Sequence, residues 1–156
     1  MKSDYSILAN FYINDKETLC RMKDSLNSFK TCKSELWIIN IRGKYKHETA
    51  KFIRASLSTN CKISFNDYRD WQKETKILIE CISTKYILIW VEDHILMKDS
   101  SYIDKVVFEM NGNKSDYLNY TFFCFGYHKK SYDSLNFRSL VRSTNINTTK
   151  VGFYIV

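Results

Sequence analysis

Three side chains that can bind a metal ion or exchange a proton follow one another at Glu92, Asp93 and His94. They come directly after the apolar run Tyr86–Val91, and apolar residues resume at Ile95. Carboxylates suit Mg²⁺ and Mn²⁺, and Mn²⁺ also tolerates imidazole. The same groups could instead act as a general acid or base, pair with a lysine or cap the following helix. Their position at the end of the most apolar run favours a functional role.

Polar side chains also follow the other β-prone runs in the first half of the chain. In open α/β sheets, ligands bind outside the carboxyl ends of the parallel strands, which meet at one edge. We therefore expect the end residues of four strands to line one site. Asparagine and aspartate also favour turns and caps, which explains the first and third ends equally well. The end residues are Asn10 and Tyr12, Asn40 and Arg42, Asn66 and Asp67, and Glu92 and Asp93.

The elements that must position these residues alternate along the chain. The predicted strands are Tyr5–Phe11, Ser34–Gly43, Cys61–Asp67 and Lys85–Val91. Each is followed by a run with apolar residues on one helical face. This order predicts an α/β fold in which a mostly parallel central sheet has helices on both faces. The fourth run is continuously apolar, which is typical of a central strand buried on both sides.

The four helices are predicted from apolar spacing and from capping patterns. Asn14 with Glu17, and Ser101 with Asp104, resemble capping boxes at the start of the first and fourth helices. The residues predicted to pack against the sheet are Leu19, Met22, Leu26 and Phe29; Ala50, Ile53 and Leu57; Trp71, Ile77, Leu78, Cys81 and Ile82; and Ile103, Val106, Val107 and Met110.

The last third of the chain has a weaker pattern. We predict a fifth strand over Tyr117–Phe125, a helix over 131–141 and a last strand over 150–156. No change in composition suggests a linker, so we expect a single domain over residues 1–156.

Composition and the absence of sequence motifs argue against several other classes of protein. The net charge of +7 can attract phosphates, but the basic residues are scattered, which disfavours nucleic acid as a partner. Five cysteines without a CxxC pair indicate reduced thiols in a cytoplasmic protein. The sequence lacks GxGxxG, P-loop and GxSxG motifs. It also lacks a signal-peptide pattern and a stretch of about 20 apolar residues that could span a membrane.

The order of these elements resembles the nucleotide-binding half of a GT-A glycosyltransferase of the family-2 type, over about the first 125 residues. YSILANFYIND and LCRMKDSLNSF are similar to the opening strand and helix of that fold, and SELWIINIRGK is similar to its second strand. KISFND and KYILIWVEDH are similar to its third strand and to the strand that leads to its DxD motif. By this resemblance Glu92, Asp93 and His94 occupy the DxD positions.

The resemblance implies transfer of a sugar from a nucleotide-sugar donor to a glycan or lipid-linked acceptor during synthesis of a surface polysaccharide. It implies a Mn²⁺ or Mg²⁺ cofactor bound by Asp93 and His94. It also implies a cytoplasmic enzyme, with peripheral contact at the inner face of the membrane where the acceptor is lipid-linked. The implied donor-binding residues are Asn10, Tyr12, Asn40, Arg42, Asn66, Asp67, Glu92 and Asp93.

The sequence departs from the GT-A pattern in three respects. The motif is E-D-H rather than D-x-D, and Asn40 and Arg42 stand where an aspartate is usual. No residue is identified as a catalytic base, and we expect the acceptor-binding part to be short or missing. The alternative prediction is therefore a non-catalytic α/β binding domain that retains the fold without the chemistry.

Overall fold

A computed structural model describes residues 3–58, 60–66, 71–96 and 98–112, together with the strand pairing of three segments further along. The elements are β1 (Tyr5–Tyr12), α1 (Lys16–Phe29), β2 (Trp37–Arg42), α2 (Lys46–Ser56), β3 (Cys61–Phe65), α3 (Trp71–Glu80), β4 (Tyr86–Val91), α4 (Ser101–Gly112), β5 (Tyr117–Tyr120), β6 (Arg138–Val141) and β7 (Val151–Ile155).

The strands form one sheet in the order β3-β2-β1-β4-β7-β5-β6. Every neighbouring pair is parallel except β5 and β6, which are antiparallel. The predicted α/β fold with a mostly parallel sheet and helices on both faces is confirmed. β4 lies in the middle of the seven strands and is mostly buried, as its unbroken apolar sequence predicted.

Three helices, α1, α2 and α4, pack against one face of the sheet and share a single large core with it. At the centre of this core lies Trp90, whose ring stacks on Phe29 at 4.6 Å and meets Phe11 and Trp37 edge to face. The predicted packing residues of these helices are buried, and the prediction for them is confirmed: Leu19, Met22, Leu26, Phe29, Ala50, Ile53, Leu57, Ile103, Val106, Val107 and Met110.

The opposite face of the sheet is covered by α3, and the packing prediction for this helix was largely wrong. Trp71 and Ile77 are 44% and 45% exposed, and Cys81 is exposed as well. Leu78 is only partly buried, whereas Ile82, which lies beyond the helix end, is fully buried. The helix is poorly buried because this face of the sheet has little apolar surface for it to cover. The buried apolar cluster here consists only of Leu8, Ile38, Ile82 and Ile87 among the described residues.

Both predicted capping boxes were wrong. Asp15, not Asn14, caps α1, because its carboxylate accepts hydrogen bonds from the N–H and hydroxyl of Thr18. The Asn14 side chain instead accepts the N–H of Lys44, across the turn that follows β2. At the start of α4, Asp99 accepts hydrogen bonds from the N–H and hydroxyl of Ser101.

The turn after β2 needs the glycine at which the sequence predicted the strand to end. Gly43 has a φ of 98°, and a Cβ there would lie 2.5 Å from the carbonyl oxygen of Ile13. Both the positive φ and the close approach exclude a larger residue. The end of β2 is thereby held against the segment that follows β1.

Predictions for the last third of the chain had mixed outcomes. The strand predicted over Tyr117–Phe125 is confirmed over Tyr117–Tyr120, and the last strand is confirmed as β7. The helix predicted over 131–141 was wrong at Arg138–Val141, because this segment pairs with β5 as strand β6. Residues 121–125 and 131–137 lie outside the described residues.

Candidate functional site

The strand order reverses between β1 and β4, and we call the reversal point at their carboxyl ends the crevice. From β1 the chain proceeds outward through β2 and β3, and then returns to the other side of β1 as β4. Ligands of open α/β sheets bind at such a reversal point, outside the carboxyl ends of the strands. The residues at these ends on the α3 side of the sheet form two successive rows, an inner asparagine row and an outer row around Arg42.

The inner row is a buried polar contact across three strands. Asn10, Asn40 and Ser64 lie opposite one another in register. The Asn40 amide donates to the side-chain oxygen of Asn10 at 3.3 Å, and the Ser64 hydroxyl lies 3.4 Å from the side-chain oxygen of Asn40. Asn40 is fully buried, so these contacts offset the cost of removing its amide from water.

Helix α3 lies over the inner asparagine row and contacts it through Thr75. The Thr75 hydroxyl lies 3.4 Å from the side-chain oxygen of Asn10 and 2.7 Å from the carbonyl oxygen of Trp71. The hydroxyl has a single proton, and the shorter distance favours the bond to Trp71. Sequence reasoning missed both Thr75 and Ser64. The sequence contained one indication of Thr75, because Trp71 and Thr75 are four residues apart and therefore share a helix face.

The outer row places a guanidinium close to two exposed aromatic rings. Tyr12 and Arg42 are partners in register at the ends of β1 and β2. The Arg42 guanidinium lies 5.8 Å from the Tyr12 ring centre and 6.0 Å from that of Trp71, which is within the range of a cation–π contact. Arg42 Nε is buried and has no hydrogen-bond partner among the described residues. Trp71, predicted as a packing residue, therefore belongs to this row.

Glu92 lies at the crevice itself. Its carboxylate lies near the backbone N–H of Tyr12, the last residue of β1. Burial raises the pKa of Glu92 above its usual value, and repulsion from Asp93 adds to the rise. The Tyr12 N–H and the nearby charge of Arg42 oppose it. The raised pKa means that burial of the charged carboxylate costs free energy. Shifted pKa values of this kind are common at functional sites.

Asp93 and His94 follow Glu92 in a tight turn that the His94 N–H closes on the carbonyl of Val91 at 3.3 Å. The Asp93 side chain is 59% exposed, and its carboxylate lies 3.9 Å from His94 Nε2. Burial lowers the pKa of His94, which keeps the imidazole neutral at pH 7. His94 Nδ1 is buried without a hydrogen-bond partner among the described residues.

These residues fit a divalent ion only in part. Within the described segments up to residue 112, no three His, Cys, Asp or Glu side chains cluster closely enough to hold a metal ion by themselves. Asp93 and a neutral His94 could supply two ligands. That number suits Mg²⁺ or Mn²⁺ bound chiefly by phosphate oxygens of a ligand, because such ions often take only one or two protein ligands.

The structure thus brings most of the predicted site residues to one edge. The two rows and the crevice contain Asn10, Tyr12, Asn40, Arg42 and Glu92. Next to them in the chain are Asp93 and His94. Asn66 follows β3, where its N–H donates to the carbonyl of Ile41 at 3.4 Å. Asp67 lies outside the described residues.

No protein-family model matches the chain. A search of curated proteins found no match. In the part of the chain that the structure describes, no helix has both the length and the apolar character needed to cross a membrane.

Proposed function

We propose that this protein is a glycosyltransferase that takes a sugar from a nucleotide-sugar donor. The observation that carries the proposal is the position of Arg42, close to two exposed aromatic rings and near the charge of Glu92 at the reversal point of a parallel sheet. A guanidinium suits a diphosphate, and exposed aromatic rings suit a nucleobase or sugar.

Each part of the site has a role in this proposal. Arg42 binds a diphosphate oxygen, and the inner asparagine row orients the polar edge of the nucleoside. Asp93 and His94 hold Mn²⁺ or Mg²⁺ together with the diphosphate. A bound divalent ion would offset the negative charge that develops on the leaving diphosphate. Glu92 places a negative charge near Arg42 and so favours the position of the guanidinium at this edge.

The acceptor in this proposal is a glycan or a lipid-linked precursor of a surface polysaccharide. The support is the resemblance of the strand and helix order to GT-A enzymes together with the basic net charge of +7. Basic side chains are attracted to the anionic lipids of the cytoplasmic leaflet, which would bring the enzyme to a lipid-linked acceptor.

Calorimetric titration with UDP, GDP and CMP, with and without Mn²⁺, tests the proposal. We expect one nucleotide to bind more tightly with Mn²⁺, and Asp93→Ala to remove most of the Mn²⁺-dependent gain. Arg42→Gln should weaken binding about tenfold or more with and without metal, since a charged hydrogen bond to phosphate is lost.

Matched controls lie on the surfaces of α1 and α2. Asp24→Ala and Arg54→Gln remove the same charges at exposed positions away from the crevice, and both should bind like the wild type. Failure of all three nucleotides to bind would contradict the transferase proposal and favour the non-catalytic binding domain. If Arg42→Gln and Arg54→Gln weaken nucleotide binding equally, Arg42 acts only through the net charge of the protein.

A further inference from the structure

We propose that Ser25 and Ser28 on α1 are positioning residues that hold the Glu92–Asp93–His94 turn at the sheet edge. The inference rests on the proposed function, since it assigns to these serines the task of presenting the carboxylates to a nucleotide diphosphate. Neither serine touches the ligand in this account. They act on the backbone of the segment that carries the ligand-binding side chains.

The Ser25 hydroxyl makes two hydrogen bonds within the core. It accepts the indole N–H of Trp90 at 2.8 Å and donates to the backbone carbonyl of His94. Ser25 is fully buried and Trp90 is 1% exposed. Because the Trp90 ring is held among Phe11, Phe29 and Trp37, its N–H is a fixed reference point for the serine.

Ser28 lies one helical turn further along on the same face of α1. Its hydroxyl donates to the Ser25 carbonyl at 2.6 Å and accepts the backbone N–H of Leu96 at 2.9 Å. The two serines therefore hold a carbonyl and an N–H that are two residues apart on the segment after β4. A single turn of helix spans both contacts.

The turn is consequently fixed on both sides. On one side it continues β4, and the His94 N–H bonds to the Val91 carbonyl. On the other side His94 and Leu96 are bonded to α1. Glu92 and Asp93 lie between these attachments, so their Cα positions are set by the core even though their side chains reach the edge. Held in this way, the backbone that carries the carboxylates needs no ordering when a ligand binds.

The contacts also explain how Leu96 is buried so soon after three polar residues. Leu96 is buried in the large core, and its N–H is satisfied by Ser28 rather than by water. The chain can therefore return to the core at Leu96, one residue after the exposed Ile95, because a serine on α1 satisfies the backbone group buried there.

Amide hydrogen exchange and nucleotide titration on four variants test the proposal. Ser28→Ala removes the acceptor of the Leu96 N–H, and we expect exchange at Leu96 to become about tenfold faster. Nucleotide binding in the presence of Mn²⁺ should weaken about tenfold, as is usual when a support of a metal-binding group is lost. Ser28→Thr keeps the hydroxyl and its bond to a carbonyl one turn earlier, so it should restore both values.

Ser6→Ala is the matched control, because Ser6 is also a buried serine with a hydroxyl contact, to Thr84 at 2.9 Å. It lies near the amino end of β1, away from the turn. Ser6→Ala should lower the melting temperature yet leave Leu96 exchange and nucleotide affinity unchanged. Ser25→Ala should act in the same direction as Ser28→Ala. Ser28→Ala alone suffices if Ser25→Ala does not fold.

The proposal is overturned if Ser28→Ala keeps wild-type exchange at Leu96, or keeps wild-type affinity for a nucleotide that the wild type binds. It is also overturned if Ser6→Ala weakens nucleotide binding as much as Ser28→Ala does. A wild type that binds no nucleotide would instead contradict the proposed function. The exchange rates would then still decide whether the serines hold the turn.

Discussion

The two faces of the sheet differ in what they bury. The face that carries α1, α2 and α4 encloses a large aromatic and aliphatic core, and its helices direct fully buried side chains into it. The α3 face has a small apolar cluster, a helix without a fully buried side chain and a row of buried amides. Stability therefore comes mainly from the first face, and the second is free to carry polar chemistry.

The candidate site therefore lies on the α3 face, the face of the sheet that contributes less to the hydrophobic core. A polar row next to a loosely packed helix costs stability, and functional residues commonly carry such a cost. Ser25 and Ser28 of α1 link the two faces of the sheet. They lie on the well-packed face and hold the turn whose carboxylates belong to the candidate site on the α3 face.

The largest expected difference comes from the same substitution made on each face. Leu26→Ala should lower the free energy of unfolding by about 3 kcal/mol, because Leu26 is fully buried in the large core. Leu78→Ala on α3 should lower it by about 1 kcal/mol, because Leu78 is only partly buried. Urea denaturation of both variants measures the difference. Equal losses would mean that the two faces contribute alike.

A smaller effect is expected from the asparagine row. Asn40→Ala should cost about 1–2 kcal/mol, because it leaves Asn10 and Ser64 without a buried partner. Asn27→Ala, at an exposed position on α1, should change stability by no more than about 0.5 kcal/mol. If denaturation shows the same small change for both, the row is not a significant structural element of the α3 face.

The smallest expected effect is a gain in stability at Glu92. Its raised pKa means that the folded chain binds the proton more tightly than the unfolded chain, so this group makes the fold less stable as pH rises through that window. Glu92→Gln should therefore raise the melting temperature at about pH 7.5 by a few degrees. At about pH 4, below the ordinary glutamate value of 4.5, the gain should largely vanish.

Asp93→Asn provides the comparison for Glu92→Gln, because the Asp93 side chain is mostly exposed. It should leave the melting temperature nearly unchanged at both pH values. A gain for Glu92→Gln that persists undiminished at low pH would show that the substitution acts through packing and not through the cost of the buried charge.

Much of the fold could be predicted from the sequence, because apolar spacing reports burial directly. The helices of the large core have regular faces, and the continuous run Tyr86–Val91 marks the central strand. Helix α3 has an equally apolar face but little apolar sheet to cover, and spacing alone does not reveal what lies opposite. The segment Arg138–Val141 was assigned wrongly for a similar reason, since its conformation depends on pairing with β5.

The site was only partly predictable. The rule that strand ends meet at one edge brought Asn10, Asn40 and Glu92 together correctly. The roles of Trp71, Ser25 and Ser28 depend on contacts between residues far apart in the chain. Such contacts leave no mark in local composition, so these residues were found only in the structure.

The central claim is that a nucleotide binds at the crevice between the carboxyl ends of β1 and β4, on the α3 side. Amide chemical shifts of the full chain, followed by NMR during titration with UDP, GDP or CMP in Mg²⁺, test it most directly. The account predicts that Tyr12, Arg42 and Asp93 shift, whereas Asp4 and Lys85 at the opposite edge do not. Shifts confined to that opposite edge, or no shifts with any nucleotide, would contradict it.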